Sequence, residues 1–206
     1  MNAPLDRFSP ATREWFAGAF SAPTAAQAGA WEAISSGGHA LVVAPTGSGK
    51  TLSAFLWSLD RLATTPAPET RKHRTRVLYI SPLKALGVDV ERNLRSPLVG
   101  ITQTAKRLGL EAPVITVGVR SGDTTATDRR LLLREPPDIL ITTPESLFLM
   151  LTSAARETLA GVETIIVDEI HAVAATKRGA HLAVSLERLD AMLPKPAQRT
   201  MIPGTT

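Results

Sequence analysis

Residues 42–55, "VVAPTGSGKTLSAF", run from a short apolar stretch through a glycine-rich turn into the start of a helix. Gly49, Lys50 and Thr51 close the pattern G-x-x-x-x-G-K-[ST], with Ala44 standing where the first glycine would be. Gly47 and Gly49 lack the Cβ atoms that hold a backbone off an anion, and successive N–H groups at a helix N-terminus can point into one concavity. Phosphates are the natural occupant. Pro45, Thr46, Gly47, Ser48 and Gly49 then form the cradle and Lys50 reaches the β and γ oxygens. The Thr51 hydroxyl coordinates the Mg²⁺ that bridges them. The plain alternative is a glycine-rich turn without a ligand.

Outward from this stretch, apolar runs alternate with helical patterns, as in a parallel sheet with helices on both faces. The strands expected are 39–44, 76–81, 114–119, 138–142 and 162–168, with a further one beginning near Arg199. Several are nearly continuous in Val, Ile and Leu, which implies that both faces are covered. Helices are expected over 24–35, 50–63, 83–108, 125–133, 145–151 and 180–193. Residues 64–76, "TTPAPETRKHRTR", hold prolines and a basic cluster and read as an exposed connection, either solvated or touching phosphate.

At 206 residues, one α/β domain is expected over 1–206, with N-terminal helices within 1–37. A hydrophobic share of 44% and a charged share of 20% describe an ordinary globule and argue against disorder. The net charge of +4 favours polyanions without demanding them. Cysteine is absent, which removes disulfide frameworks and thiolate metal sites and suits a reducing compartment. No apolar run approaches a membrane span and the N-terminus lacks a signal-peptide pattern, so a cytoplasmic protein without a membrane partner is expected.

A phosphate cradle needs a metal-holding carboxylate. Residues 162–173, "VETIIVDEIHAV", end an apolar strand on two adjacent acids. Ligands of doubly wound sheets lie beyond the carboxyl ends of the strands, so Asp168 can stand beside the phosphate loop as the Mg²⁺ partner. Glu169 is suited to orient and deprotonate a water in line with the γ-phosphate. Lys50, Asp168 and Glu169 are therefore the candidate catalytic residues, and Thr51 and Asp168 the candidate metal ligands.

"APTGSGKT" (44–51) with "DEIH" (168–171) resembles motifs I and II of the superfamily 2 helicases, the DExH-box group. "SPLKALGVD" (81–89) resembles motif Ia, "SGDTT" (121–125) motif Ic, "TTPESL" (142–147) motif Ib and "PTAAQ" (23–27) the Q motif. The stretch "TKRGAHLAVSLERLD" (176–190) is similar to Lhr-type, large helicase-related proteins. The resemblance implies a RecA-like P-loop NTPase domain that binds ATP and Mg²⁺. It implies that Gln27 reads adenine and that His171 couples nucleotide state to the nucleic-acid side. Pro82, Leu83, Lys84, Gly122, Asp123, Thr143, Pro144 and Glu145 fall in motifs that hold one strand of DNA or RNA through its backbone, independently of sequence. Phe20 would stack on the base or staple the following helix. Arg120, Arg129, Arg130, Lys177 and Arg178 add positive charge or simply meet solvent.

In the family, motif III, typically Ser-Ala-Thr, follows the next strand; here the residues are "TMIPGTT", and only Thr205 or Thr206 stands near it. The family's second RecA-like lobe, which supplies arginines to the transferring phosphoryl group, is not among these residues. The resemblance therefore implies the first motor lobe of an ATP-dependent DNA or RNA helicase or translocase, expected to be a poor ATPase by itself, and an association with DNA repair. The alternative is a stand-alone nucleotide- or nucleic-acid-binding remnant without significant turnover.

Overall fold

The computed structural model describes residues 4–45 and 47–204, with the side chains of 84–88 outside that description. Two helices, α1 (Pro10–Ala19) and α2 (Ala25–Ser35), precede a two-residue strand β1 (Ala40–Leu41). Then come α3 (Lys50–Thr64), β2 (Val77–Ile80), α4 (Lys84–Arg107), β3 (Val117–Arg120), α5 (Ala126–Arg134) and β4 (Ile139–Thr142). α6 (Pro144–Leu151), β5 (Thr164–Asp168), α7 (Lys177–Asp190) and β6 (Gln198–Ile202) complete the order, with short 3-10 helices between some of them. The strands form one parallel sheet in the order β1-β6-β5-β2-β4-β3.

Alternation along the strands divides the interior in two. Val77, Tyr79, Ile139, Ile141 and Ile166 pack with Phe55, Leu59 and Leu94 of α3 and α4. Leu78, Ile80, Leu140, Ile165 and Val167 pack on the other face with Leu147 and Met150 of α6 and Leu186 and Leu189 of α7. Each such side chain, fully buried, contributes about 1.5–3 kcal/mol. The N-terminal helices join the first layer. Trp31 is fully buried, makes edge contacts with Phe8 and Phe16, and donates its indole N–H to the Ser53 carbonyl at 3.1 Å. The Ser9 amide donates to the buried Asp60 carboxylate at 3.1 Å, which ties the start of α1 to α3.

One sequence expectation is corrected here and another refined. The 39–44 strand shrinks to Ala40–Leu41, extended only by the Val42 N–H donating to the Met201 carbonyl at 2.9 Å. β1 lies at the sheet edge, so Leu41 and Val43 are 64% and 70% exposed and not covered on both faces. The 64–76 connection is exposed over 69–73, as expected, and is also structured. It contains a 3-10 turn at Arg71–His73, and its cations are taken up by the chain's own carboxylates. Arg74 meets Asp138 at 3.0 Å, Lys72 meets Glu157, and Arg76 is buried with its guanidinium on Thr65. Among the described residues no helix is long and apolar enough to cross a membrane.

Candidate functional site at the carboxyl ends of the strands

Beyond β1 the chain bends twice into the left-handed region, at Gly47 (φ +79°) and Gly49 (φ +76°), before α3 begins at Lys50. Such backbone angles cost an L side chain about 1–2 kcal/mol, which is why glycine stands there. A Cβ at Gly49 would also lie 2.5 Å from Gln27 Nε2. Among the described residues no side chain caps α3, which begins on a glycine with no side chain to offer the orphan amides of its first turn. The Lys50 ammonium donates to the Ala44 carbonyl at 2.8 Å, bridging the two ends of the loop. Ser48 Oγ donates to the Pro45 carbonyl at 2.7 Å, and Thr24 Oγ1 donates to the Ser48 carbonyl at 3.3 Å. Thr46 lies outside the described residues.

Gln27 is 4% exposed, not the exposed helix-start residue that its type suggests. Its Oε1 accepts from the Thr24 N–H at 3.0 Å while its own N–H donates to Thr24 Oγ1 at 3.2 Å, a reciprocal capping box at the start of α2. The spacing T-x-x-Q at 24–27 is the local signature of that box. Phe20 packs on the preceding helix, its ring 4.7 Å from that of Phe16 and tilted by 33° to it. With Trp15, Thr51, Leu52, Phe55 and Pro97 it lines a cavity of about 280 Å³ beside the first turn of α3.

Asp168 ends β5 with the parity of Ile166, so its side chain leaves toward the layer that holds α3. It is 7% exposed. Oδ1 accepts from the Glu169 N–H at 2.8 Å and Oδ2 accepts from the Tyr79 hydroxyl. Burial first, and then the Asp168 charge, push the Tyr79 phenol far above its ordinary range, so it stays a donor. Tyr79 is a site residue that motif reading misses. Glu169 has φ +50°, alone among described non-glycine residues. Its Oε2 lies 3.4 Å from His171 Nδ1, which accepts from the Gly204 N–H at 2.8 Å. That bond leaves the neutral ring's proton on Nε2. A Cβ at Gly204 would stand 2.1 Å from Glu169 Oε2 and 2.2 Å from His171 Cε1, so the backbone after β6 lies directly on both residues. Thr205 and Thr206 lie outside the described residues.

Among the described residues no cluster of three or more acidic or histidine side chains could hold a metal. Mg²⁺ does not need one, because it keeps waters and takes one or two carboxylates plus substrate phosphates. Asp168 suits that role: each oxygen has one hydrogen-bond donor, and a carboxylate has about four acceptor sites.

The remaining predicted residues gather on the other half of the same edge, where β2, β4 and β3 are neighbours. Pro82 is buried, and Leu83, half-exposed, precedes α4; the Lys84 side chain lies outside the described residues. Gly122 and Asp123 are exposed after β3, the Gly122 carbonyl accepting from Arg129 at 2.9 Å and the Asp123 N–H donating to Ser121 Oγ at 3.3 Å. Thr143 is buried as the cap of α6, accepting from the Ser146 N–H at 3.3 Å, and Pro144 is buried beside it. Glu145 is exposed and paired with Arg178 of α7, whose Nη2 donates at 3.0 Å. This hydrogen bond holds the Glu145 carboxyl below its usual range. Burial, and then the like charge of Arg129, lower Arg120 from the usual guanidinium value. Arg130 and Lys177 face solvent.

Known proteins share this architecture. The model of the DEAD/DEAH box helicase family matches residues 24–206. The chain is 70% identical over 202 residues to the Lhr helicase/probable uracil glycosylase of Mycolicibacterium smegmatis, covering 98% of this chain and 13% of that protein. It is 60% identical over 204 residues to the Escherichia coli Lhr helicase/uracil glycosylase, covering 97% and again 13%. The solved Mycobacterium smegmatis helicase Lhr bound to ssDNA and AMP-PNP superposes with a TM-score of 0.94 at 67% identity, over all of this chain and 26% of that one. The DEAD-box helicase Mss116, only 18% identical, shares the RecA-like fold at a TM-score of 0.77. The chain thus spans a small fraction of the curated relatives it matches, and with this sheet, loop and acid pair it belongs to the DEAD/DEAH box helicase family, most similar there to the Lhr-type proteins.

Proposed function

We propose that this chain is the ATP-binding first motor lobe of an ATP-dependent, Lhr-type helicase or translocase that tracks single-stranded DNA or RNA without reading its sequence, in the setting of DNA repair in the cytoplasm. The observation that carries the proposal is the uncapped start of α3 behind a left-handed glycine, with the Lys50 ammonium resting on the Ala44 carbonyl. A triphosphate would supply acceptors to the amides of that first turn and a stronger partner than Ala44 to the ammonium, in a dipole field that favours an anion.

On this reading the amides around Gly47, Ser48 and Gly49 hold the phosphates, and Lys50 leaves Ala44 for the β and γ oxygens. Thr51 and Asp168 would hold Mg²⁺, which when bound neutralises charge on the phosphates. Glu169 orients the attacking water and takes its proton as the γ-phosphorus to bridging-oxygen bond breaks. Gln27 contributes through the Nε2 side of its carboxamide, since Oε1 serves the capping box. His171, bonded to the backbone after β6, carries the nucleotide state toward that strand. The loops after β2, β3 and β4 hold the nucleic-acid backbone, and the ssDNA and AMP-PNP present in the solved Lhr relative support both assignments. The second lobe would lie in the same polypeptide and supply the arginines for turnover.

The test is a pair of variants in the polypeptide that carries this domain. Lys50→Ala should abolish nucleotide binding, whereas Glu169→Gln should leave binding near wild type and remove hydrolysis. Equal loss of ATP affinity in both would contradict the division of roles.

A further inference from the structure

Tyr79 is the chain's single tyrosine and is fully buried. It pairs across the sheet with Ile166, so Asp168 is the next side chain on the same face of the adjacent strand, within reach of a phenol. The hydroxyl donates to Asp168 Oδ2, and the ring stacks on Phe55 of α3 with centroids 5.2 Å apart and planes 25° apart. A phenylalanine would fill the same apolar space, so packing alone does not account for the hydroxyl. It has one described partner, the carboxylate that ends β5. The ring therefore connects the helix that begins at the phosphate loop to the acid at the end of β5.

We propose that Tyr79 is the positioning residue for the magnesium-holding carboxylate: its hydroxyl fixes the rotamer of Asp168, leaving the free acceptor sites of that carboxylate turned to the cation. With Oδ1 on the Glu169 amide and Oδ2 on Tyr79, the carboxylate plane is held from two sides and loses little further freedom when the ion arrives. Phe55 carries the same constraint to α3, so the hydroxyl end and the carboxylate end of the magnesium site, Thr51 and Asp168, are positioned by one stacked pair. The inference rests on the assignment of Asp168 to Mg²⁺.

The experiment measures affinity of this chain for a fluorescent ATP analogue in Mg²⁺ and in EDTA, for wild type and Tyr79→Phe. The wild type should bind more tightly with Mg²⁺. Tyr79→Phe should lose about ten-fold or more of the metal-dependent affinity, as outer-shell partners do, while its metal-free affinity stays within about two-fold. An unchanged metal dependence, or an equal loss with and without metal, overturns the inference. No effect of Mg²⁺ on the wild type overturns the reading of Asp168 itself, a distinct outcome. In the unaltered protein, a ¹³Cζ-tyrosine label gives one NMR signal, which should shift on adding Mg²⁺ to the nucleotide-bound chain. A signal indifferent to Mg²⁺ also overturns the inference, whether or not the phenylalanine variant folds.

Discussion

Glu169 holds a left-handed backbone angle that costs a side-chain-bearing residue about 1–2 kcal/mol, and it holds it at the position assigned to the water-activating base. Glu169→Gly should therefore be about 1 kcal/mol more stable than Glu169→Ala by urea titration, with hydrolysis lost in both. Gly49→Ala meets the same backbone penalty and a Gln27 amide 2.5 Å away, so it should lower stability by about 1–3 kcal/mol and weaken nucleotide binding in fluorescence titration. Lys50 is legible in the sequence because a glycine turn opens a helix there, and Asp168 and Glu169 because an apolar strand ends on them, both purely local patterns. Tyr79 is not, because its partner is 89 residues away. Gln27 is half-legible: its spacing from Thr24 writes the capping box, while its burial depends on the approach of Gly49.

Helix starts carry the element-scale information. Ser9, Thr24, Thr125, Thr143 and Thr176 each cap a helix with a hydroxyl, while α3 begins on glycine. A cap of this kind is worth about 1 kcal/mol, so Thr176→Ala should lower the urea midpoint accordingly. α1 is not among the individually expected helices although Ser9-Pro10 announces it, and the expected start of α7 falls three residues late because Gly179 in its first turn looks like a break. Between α6 and α7, the Arg178 hydrogen bond lowers the Glu145 pKa, so the pair's stabilisation is present above the ordinary glutamate value of about 4.3 and is lost as pH falls through the lower folded value. Both side chains are well exposed, and screening keeps the effect to about 0.3 kcal/mol. Wild type should exceed Glu145→Gln by that margin at pH 7 and match it at pH 3, measured by urea unfolding.

Across the whole molecule, strand identity is legible from apolar runs, but strand order is not, because no local pattern records which strand lies beside which. The order divides the working edge, with the proposed phosphate loop and acids on the β1-β6-β5 half and the proposed strand-holding loops on the β2-β4-β3 half. It also exposes Leu41 at the margin while burying Ile166 at the centre. Leu41→Ala should be nearly neutral, and Ile166→Ala should cost about 2–5 kcal/mol by calorimetry or urea. The same order has a temporal meaning. Ala40 and Leu41 touch no other strand until Thr200 and Met201 arrive between them and β5. A ribosome-bound chain that has not reached Gln198 holds the proposed phosphate loop from its α2 and α3 side alone, and pairings so distant in sequence form slowly. The strand that leads into that loop is therefore seated only after β6 has been made.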